Sequence, residues 1–476
     1  MCASDAALLD AYAPFVARGV PPAEPGVAAS LRIRSEGLRA ARAVMTKPDD
    51  DDDAGAKLAS RGIDEYLRDV GGVTIDLRLR GDEADLSVEQ SVLRVKTVTA
   101  AAQCARPGAP EPLPAAFWRL PGDADAAFFF QGAPPEVMRP LAGPALSELV
   151  ESVRGVSQRE RTDMLAAMRG LFLTGGPLVL AYGHGRPAAE KALEKLAAAP
   201  SKGGGKPDPN ADKALFAAHT AITGWTLVHL DEPAPRWRDG LTALATAGEL
   251  QNPSAPAPSV VPRGSPAPSA ARPPAASPDE EPRTHDTWHT LAMTPRDRLP
   301  AGSFHFIYAV RPNPRYVPKD PTQSRAVPHD VHFFGAPDGA GTWIVAAEDE
   351  ALARTQLAQA LSGPPARALQ GRADLAALRN SSGAAAGFVS IGGLVSLMLD
   401  DDSMDEMLGA RASLAAVAAL PHRGQAPIPI TWTSAPLAAA DTGGRGCRVR
   451  MNVTMGAQAI GDVLSWFMGR MPGKHP

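Results

Sequence analysis

Long apolar runs, cysteines and catalytic signatures are what this 476-residue chain has least of. No hydrophobic stretch has the length and uniformity of a membrane-spanning helix, which needs about 20 apolar residues. The nearest, Ala384 to Leu399, is broken by Gly387, Ser390, Gly392, Gly393 and Ser396, and reads as a buried strand running into a helix. Three cysteines, Cys2, Cys104 and Cys447, are too few for a disulfide framework. Without C-x-x-C spacing they form neither a zinc nor a dithiol motif. Cys447 falls on the apolar phase of a strand and reads as a small core residue.

The catalytic signatures are missing in the same way. There is no G-x-S-x-G elbow, no G-x-G-x-x-G after a strand, and no H-E-x-x-H. The loop Lys202 to Pro209 contains Gly205-Lys206, but no strand leads into it. Pro207 also stands where a phosphate loop needs Ser or Thr for magnesium. No cofactor is expected. A net charge of −4 and a pI near 6.2 give no general attraction to nucleic acid or to an anionic lipid surface.

The chain is richest in proline where it is poorest in everything else. Asn252 to Pro282 carries ten prolines among Ala, Ser and a few charges. Such a composition cannot bury enough apolar surface to offset chain entropy, and closely spaced prolines favour extended conformers. It reads as a disordered linker over 252–283. That divides the chain into a part over 1–251 (with subdivisions 1–115 and 116–251) and a part over 284–476. Beyond it the only lysines are Lys319 and Lys474, and the Arg, Ala, Pro and Gly usage looks like a high-GC bacterial coding bias.

Periodicity fills in the elements. Val73, Ile75, Leu77 and Leu79 alternate with Thr74, Asp76, Arg78 and Arg80, and after a turn Leu86 and Val88 return as the partner strand. One apolar and one charged face argue for an antiparallel sheet that is wet on one side. Further strands are expected at 126–130, 177–182, 224–230, 304–310, 331–334, 342–347, 385–391, 428–432 and 447–455. Helices are expected at 6–12, 35–45, 56–70, 159–171, after Pro233, after Glu350, at 394–399 and at the C-terminal end.

Some of these segments look alike. Ala28-Ala29-Ser30-Leu31, Ala126-Ala127-Phe128-Phe129 and Ala385-Ala386-Gly387-Phe388 each lead from a strand into a helix. Gly224 to Glu232 parallels Gly341 to Asp349, and the strand pair at 73–92 parallels the pair at 428–455. The expected fold is α+β, two domains of mainly antiparallel sheet with helices packed on one face, built from repeated strand-helix-strand-strand units.

Two polar features bear on function. His285, Asp286 and His289 follow the linker, and His329, Asp330 and His332 come later. On a helix His285 and His289 would share a face at i and i+4, a spacing suited to a metal pair. His285, His289, His329, Asp330 and His332 are therefore the candidate metal ligands, set against a plain reading as surface or strand-edge histidines. The five aspartates at 49–53 read as a solvated loop and the acidic run Asp400 to Glu406 as a helix start.

The beginning Cys2-Ala3-Ser4 resembles the mature end of a bacterial lipoprotein, which makes Cys2 a candidate lipidation site with Met1 as a cloning start. A helix starting at Ala6 leaves little tether and speaks against it, and the start shows no basic n-region or apolar h-region, as expected of a cytoplasmic protein or a mature form lacking its signal. The favoured reading is a non-enzymatic bacterial protein of the periplasm or envelope that binds or scaffolds a protein or envelope component. No transmembrane span is expected. The alternatives are a metal-dependent hydrolase using the five residues above, and a cytoplasmic location.

Overall fold

The protein's structure is a computed structural model. It describes residues 26–45, 54–104, 111–152, 158–172, 176–184, 223–251, 284–291, 299–312, 329–397, 419–437 and 446–470, with isolated positions at 191, 220, 293, 416 and 417. The linker, Cys2, the helix expected at 6–12, the aspartates at 49–53, the loop at 202–209 and the acidic run at 400–406 lie outside the described residues.

The first unit is β1 (Ala29–Arg34), helices α1 (Ser35–Met45) and α2 (Ala54–Asp69), then the hairpin β2 (Val70–Arg80) and β3 (Glu83–Val92), then α3 (Val98–Cys104). Gly81, at φ 61°, supplies the left-handed residue of the hairpin's two-residue turn. The short β4 (Glu111–Pro112) and α4 (Ala115–Arg119) follow. Next, β5 (Ala126–Phe130) leads to α5 (Pro135–Ser152) and α6 (Gln158–Phe172), then to β6 (Leu178–Gly183), β7 (Trp225–Leu230) and α7 (Ala234–Gln251).

Beyond the linker lie β8 (Thr284–Leu291), β9 (Phe304–Pro312), β10 (His329–Asp338), β11 (Gly341–Ala347) and α8 (Glu350–Ser362). A run of 3-10 turns over 365–375 and α9 (Ala376–Arg379) follow. The short β12 (Ser382–Gly383) pairs with β4. The chain closes with β13 (Ala385–Ser390), α10 (Ile391–Leu397), β14 (Pro427–Pro436), β15 (Cys447–Met455) and α11 (Ala457–Arg470).

Among the described residues, thirteen strands form one antiparallel sheet, in the order β1-β2-β3-β15-β14-β13-β5-β6-β7-β11-β10-β9-β8. Strands from the two sides of the linker alternate in blocks. Three ladders join them: Met451 faces Val88, Phe388 faces Ala127, and Trp343 faces His229. The linker divides the sequence, but the sheet is continuous across it.

Register sorts the side chains onto two faces. Leu31, Ile75, Val88, Met451, Trp432, Ala385 and Phe130 lie in one transverse row on one face. On the other face the row Arg32, Thr74, Glu89, Arg450 is hydrophilic. Glu89 there accepts from Arg450 Nη2 at 2.6 Å and lies 3.4 Å from Arg448 Nε. This half of the sheet has the expected pattern, one apolar face and one wet face.

Helices cover parts of the apolar face, while Leu31, Leu79 and Phe130 on it stay exposed. Tyr66 of α2 and Cys104 of α3 pack on Val92, Val449 and Trp432. Val463 and Trp466 of α11 pack beside Val453 and Met455. Trp237 and Leu241 of α7 pack on Phe304, Phe306, Phe333 and Ile344.

The expectation of helices on one face only is corrected at β13 to β9. There the second face is apolar too, through Phe388, Phe129, Val179, Leu227, Trp343, Val345 and Phe334, so it also needs a cover. Leu357 of α8, Phe117 of α4, and Leu369 and Leu375 of the 3-10 turns supply it, all with no exposed surface. This is the main core, and it draws residues from both sides of the linker.

A second correction concerns the cysteines. Cys104 and Cys447 are joined by a disulfide across 343 residues of sequence. Cys447 is buried, as its strand phase implies, but its sulfur is bonded to the end of α3. Pairing depends on β15 lying beside β3, which no local spacing encodes.

Candidate functional site

The sheet's register decides where the histidines go. Thr284 to Leu291 forms the strand β8, so His285 and His289 are placed on a strand, not a helix. His285 pairs with Arg311 and His289 with Ile307. On β10, Asp330 is held by Arg311 Nη2 at 2.5 Å. His329 is three residues from His332 on a strand, so their side chains point to opposite faces. Of the five candidate ligands, His332 is the one found in a described cluster of metal-ligating groups.

That cluster adds two residues that periodicity alone does not single out. His305 on β9 pairs with Phe334, and His332 pairs with Ala347, the last residue of β11. The chain leaving β11 therefore passes His332 as it enters α8. Asp349 caps this helix, its side chain accepting from the Leu352 N–H at 2.9 Å, and Glu350 occupies the first turn. His305 Nε2 and His332 Nδ1 stand 3.1 Å apart. One ligand atom from each of His305, His332 and Glu350 lies within 4.8 Å of the others.

Packing orients the set. His305 is 3% exposed and stacks on Phe334 with ring centres 3.8 Å apart. The Arg354 guanidinium also lies over the Phe334 ring, 4.7 Å from its centre. It also donates Nε and Nη2 to Glu350 Oε1 at 3.1 and 2.5 Å. That hydrogen bond holds the Glu350 carboxyl below its ordinary value; burial opposes the shift, and the positive charge of Arg354 adds to it. The group thus offers two imidazole nitrogens and one ionised carboxylate from three elements.

Other polar clusters are read as structural. Asp338 accepts from Arg119 Nη1 at 2.8 Å and Trp343 Nε1 at 3.0 Å, with His229 Nε2 at 3.4 Å. Arg119 also donates to the Ala360 and Leu361 carbonyls at the end of α8. Burial pushes His229 below the ordinary histidine value, although Asp338 opposes the shift. Buried His184 contacts Asp125 Oδ2 through Nδ1 at 2.7 Å, which ties the end of β6 to the start of β5. A polar cavity of about 230 Å³ is lined by Glu65, Arg68, Asp69, Arg94, Lys96 and Thr97. Arg94 and the Lys96 N–H already engage Asp69 there.

No protein-family model, curated protein or solved structure matches this chain. Among the described residues, no helix is long and apolar enough to cross a membrane.

Proposed function

We propose that this is a non-enzymatic bacterial envelope protein that binds or scaffolds a protein or envelope component. The observation that carries this reading is the Cys104–Cys447 disulfide. Disulfides persist in oxidising compartments such as the periplasm and are rare where glutathione and thioredoxin keep thiols reduced. The hydrophilic face of β15, β3, β2 and β1, on which no helix packs among the described residues, supports the binding part. It presents Arg32, Arg78, Arg448 and Arg450 among Asp76, Asp85 and Glu89, on a rigid platform suited to a charged partner.

The recurring order of strand, helix, strand, strand and helix at β1, β5 and β13 supports an origin by duplication of one unit. On this reading the linker joins two such assemblies in sequence. Acid-quenched alkylation of the protein in its native cells tests the location. A mass unshifted at Cys104 and Cys447 until reductant is added is expected, and rapid labelling of both thiols without reductant defeats the envelope reading.

A metal-dependent hydrolase is the second reading, favoured by the convergence of His332 with His305 and Glu350. Zinc-dependent turnover of simple esters or phosphoesters, lost on chelation, would establish it over the first.

A further inference from the structure

His305, His332 and Glu350 meet because three constraints agree. The β9–β10 register sets His305 beside His332, the β10–β11 register sets Ala347 opposite His332, and the Asp349 cap starts α8 at once. We infer that these three side chains bind one divalent transition-metal ion of the zinc class, through two imidazole nitrogens and one carboxylate oxygen, with water completing the shell.

The geometry suits such an ion. Tetrahedral zinc with bonds of about 2.0–2.1 Å holds its ligand atoms about 3.3 Å apart. The two imidazole nitrogens are already 3.1 Å apart. Without an ion, that spacing is a hydrogen bond between one protonated and one bare nitrogen. The carboxylate has to close a short remaining distance. Glu350 can do so, because its side chain is 45% exposed and stands at the open end of α8. Imidazole donors favour zinc, copper or nickel over magnesium and calcium, which prefer all-oxygen shells. The stacking of Phe334 fixes the His305 ring, as rigid surroundings do for metal ligands.

Arg354 gives the site a distinctive feature. Its guanidinium holds Glu350 Oε1, so a metal ion must draw that carboxylate away from a cation and then sit near it. Arg354 is therefore a competitor of the ion. Removing Glu350 weakens metal binding and removing Arg354 strengthens it. A purely structural ion pair loses its contribution from either side and has no metal dependence. This inference does not rest on the envelope reading, and its failure would leave that reading standing.

The test is calorimetric titration of zinc into the tag-free full chain, oxidised, at neutral pH. One equivalent is expected to bind saturably, and a large excess of magnesium should not displace it. His332→Gln and Glu350→Gln are each expected to weaken binding at least tenfold, and Arg354→Gln to tighten it severalfold. His329→Ala, on the opposite face of β10, should bind as the parent does. Absence of a saturable equivalent overturns the site. So does unchanged affinity in both His332→Gln and Glu350→Gln, or equal weakening by His329→Ala. His305→Ala alters a buried position and adds to the case only if its circular dichroism matches the parent; the more exposed Glu350 and Arg354 variants decide the outcome by their opposite signs.

Discussion

Reducing the Cys104–Cys447 bond is the perturbation whose size follows most directly from the architecture. The bond closes 343 residues of sequence, so it confines a large part of the denatured chain. In the chain-entropy account, a loop of this length is worth about 6 kcal/mol at 25 °C, while measured bonds reach ~5 kcal/mol at most. Native contacts change little on reduction, because both sulfurs stay in the cluster of Val92, Ala100 and Val449. A loss of about 3–5 kcal/mol is therefore expected, a large share of a typical domain's stability.

Urea unfolding at 25 °C, followed by tryptophan fluorescence and circular dichroism with and without reductant, measures it. The reduced chain should also unfold with a steeper denaturant dependence, since its denatured ensemble is more expanded. Cys104→Ala with Cys447→Ala should reproduce the reduced protein, less about 1 kcal/mol for the lost packing. Coincident midpoints for oxidised and reduced protein would refute the argument that the bond acts by restraining the denatured chain.

Further outcomes follow from the same architecture. Cutting at a protease site placed between residues 252 and 282 should leave one particle on size exclusion in native buffer with or without reductant, with one band on a non-reducing denaturing gel and two on a reducing one; separation of the pieces on size exclusion in reductant contradicts the interleaved sheet. Leu357→Ala, at a fully buried position under Trp343 and Phe334, should cost about 2–5 kcal/mol by urea unfolding, and a change below ~1 would place α8 outside the core. Gly224→Ala should cost at least about 1–3 kcal/mol, because φ is +64° and a Cβ would run into the Gly183 carbonyl; a neutral result removes both reasons. Because burial lowers His229 below 6.5 in the folded state, the unfolded chain takes up a proton that the folded chain refuses. That contribution is whole above about pH 6.5 and fades as pH falls toward the folded value, so His229→Gln should lose less stability than the parent between pH 7.5 and 5.5, and equal losses would exclude the effect.

Local features were legible where one physical signal dominated. The alternation of Val73 to Arg80 and of Cys447 to Met455 predicts strands that the structure has as β2 and β15, because one face of each is wet. Asp349 and Glu350 mark a helix start, and α8 begins at Glu350. The stretch His285 to His289 was ambiguous, since i and i+4 share a face on a helix and on a strand alike. It is a strand, β8.

Strand order was not legible, because each ladder that crosses the linker depends on pairing between segments far apart in sequence. The disulfide follows from that order, and the burial of His305 follows from the layer packed over its face. That histidine alternates with Phe304 and Phe306, a pattern that suggests a polar outer face. The second covering layer buries this face instead, so both sides of β9 are enclosed. The signal that could have revealed it is the lack of any exposed-type run across β10 and β11, where Phe333, Phe334, Ile344 and Val345 leave neither face polar.

The proposed metal ligands all fall between residues 305 and 350, yet their alignment depends on the other side of the linker. α8 carries Glu350 at its first turn, and at its last turn the Ala360 and Leu361 carbonyls accept from Arg119. Midway, Gln356 donates to Asp123 at 3.2 Å. Both anchors come from the stretch between β4 and β5, and the helix's inner face rests on Phe117 from the same stretch. Arg119 further reaches Asp338 on β10, so one guanidinium joins the helix to the strand that bears His332. Replacing Arg119 with Met would leave the carbonyls to water and loosen the C-terminal end of α8, far from the ligands themselves. Zinc affinity should then fall by a few-fold, with no change in the number of ions bound. An unaltered affinity in a variant of clearly lowered stability would mean that the β9–β10–β11 strands hold the site alone.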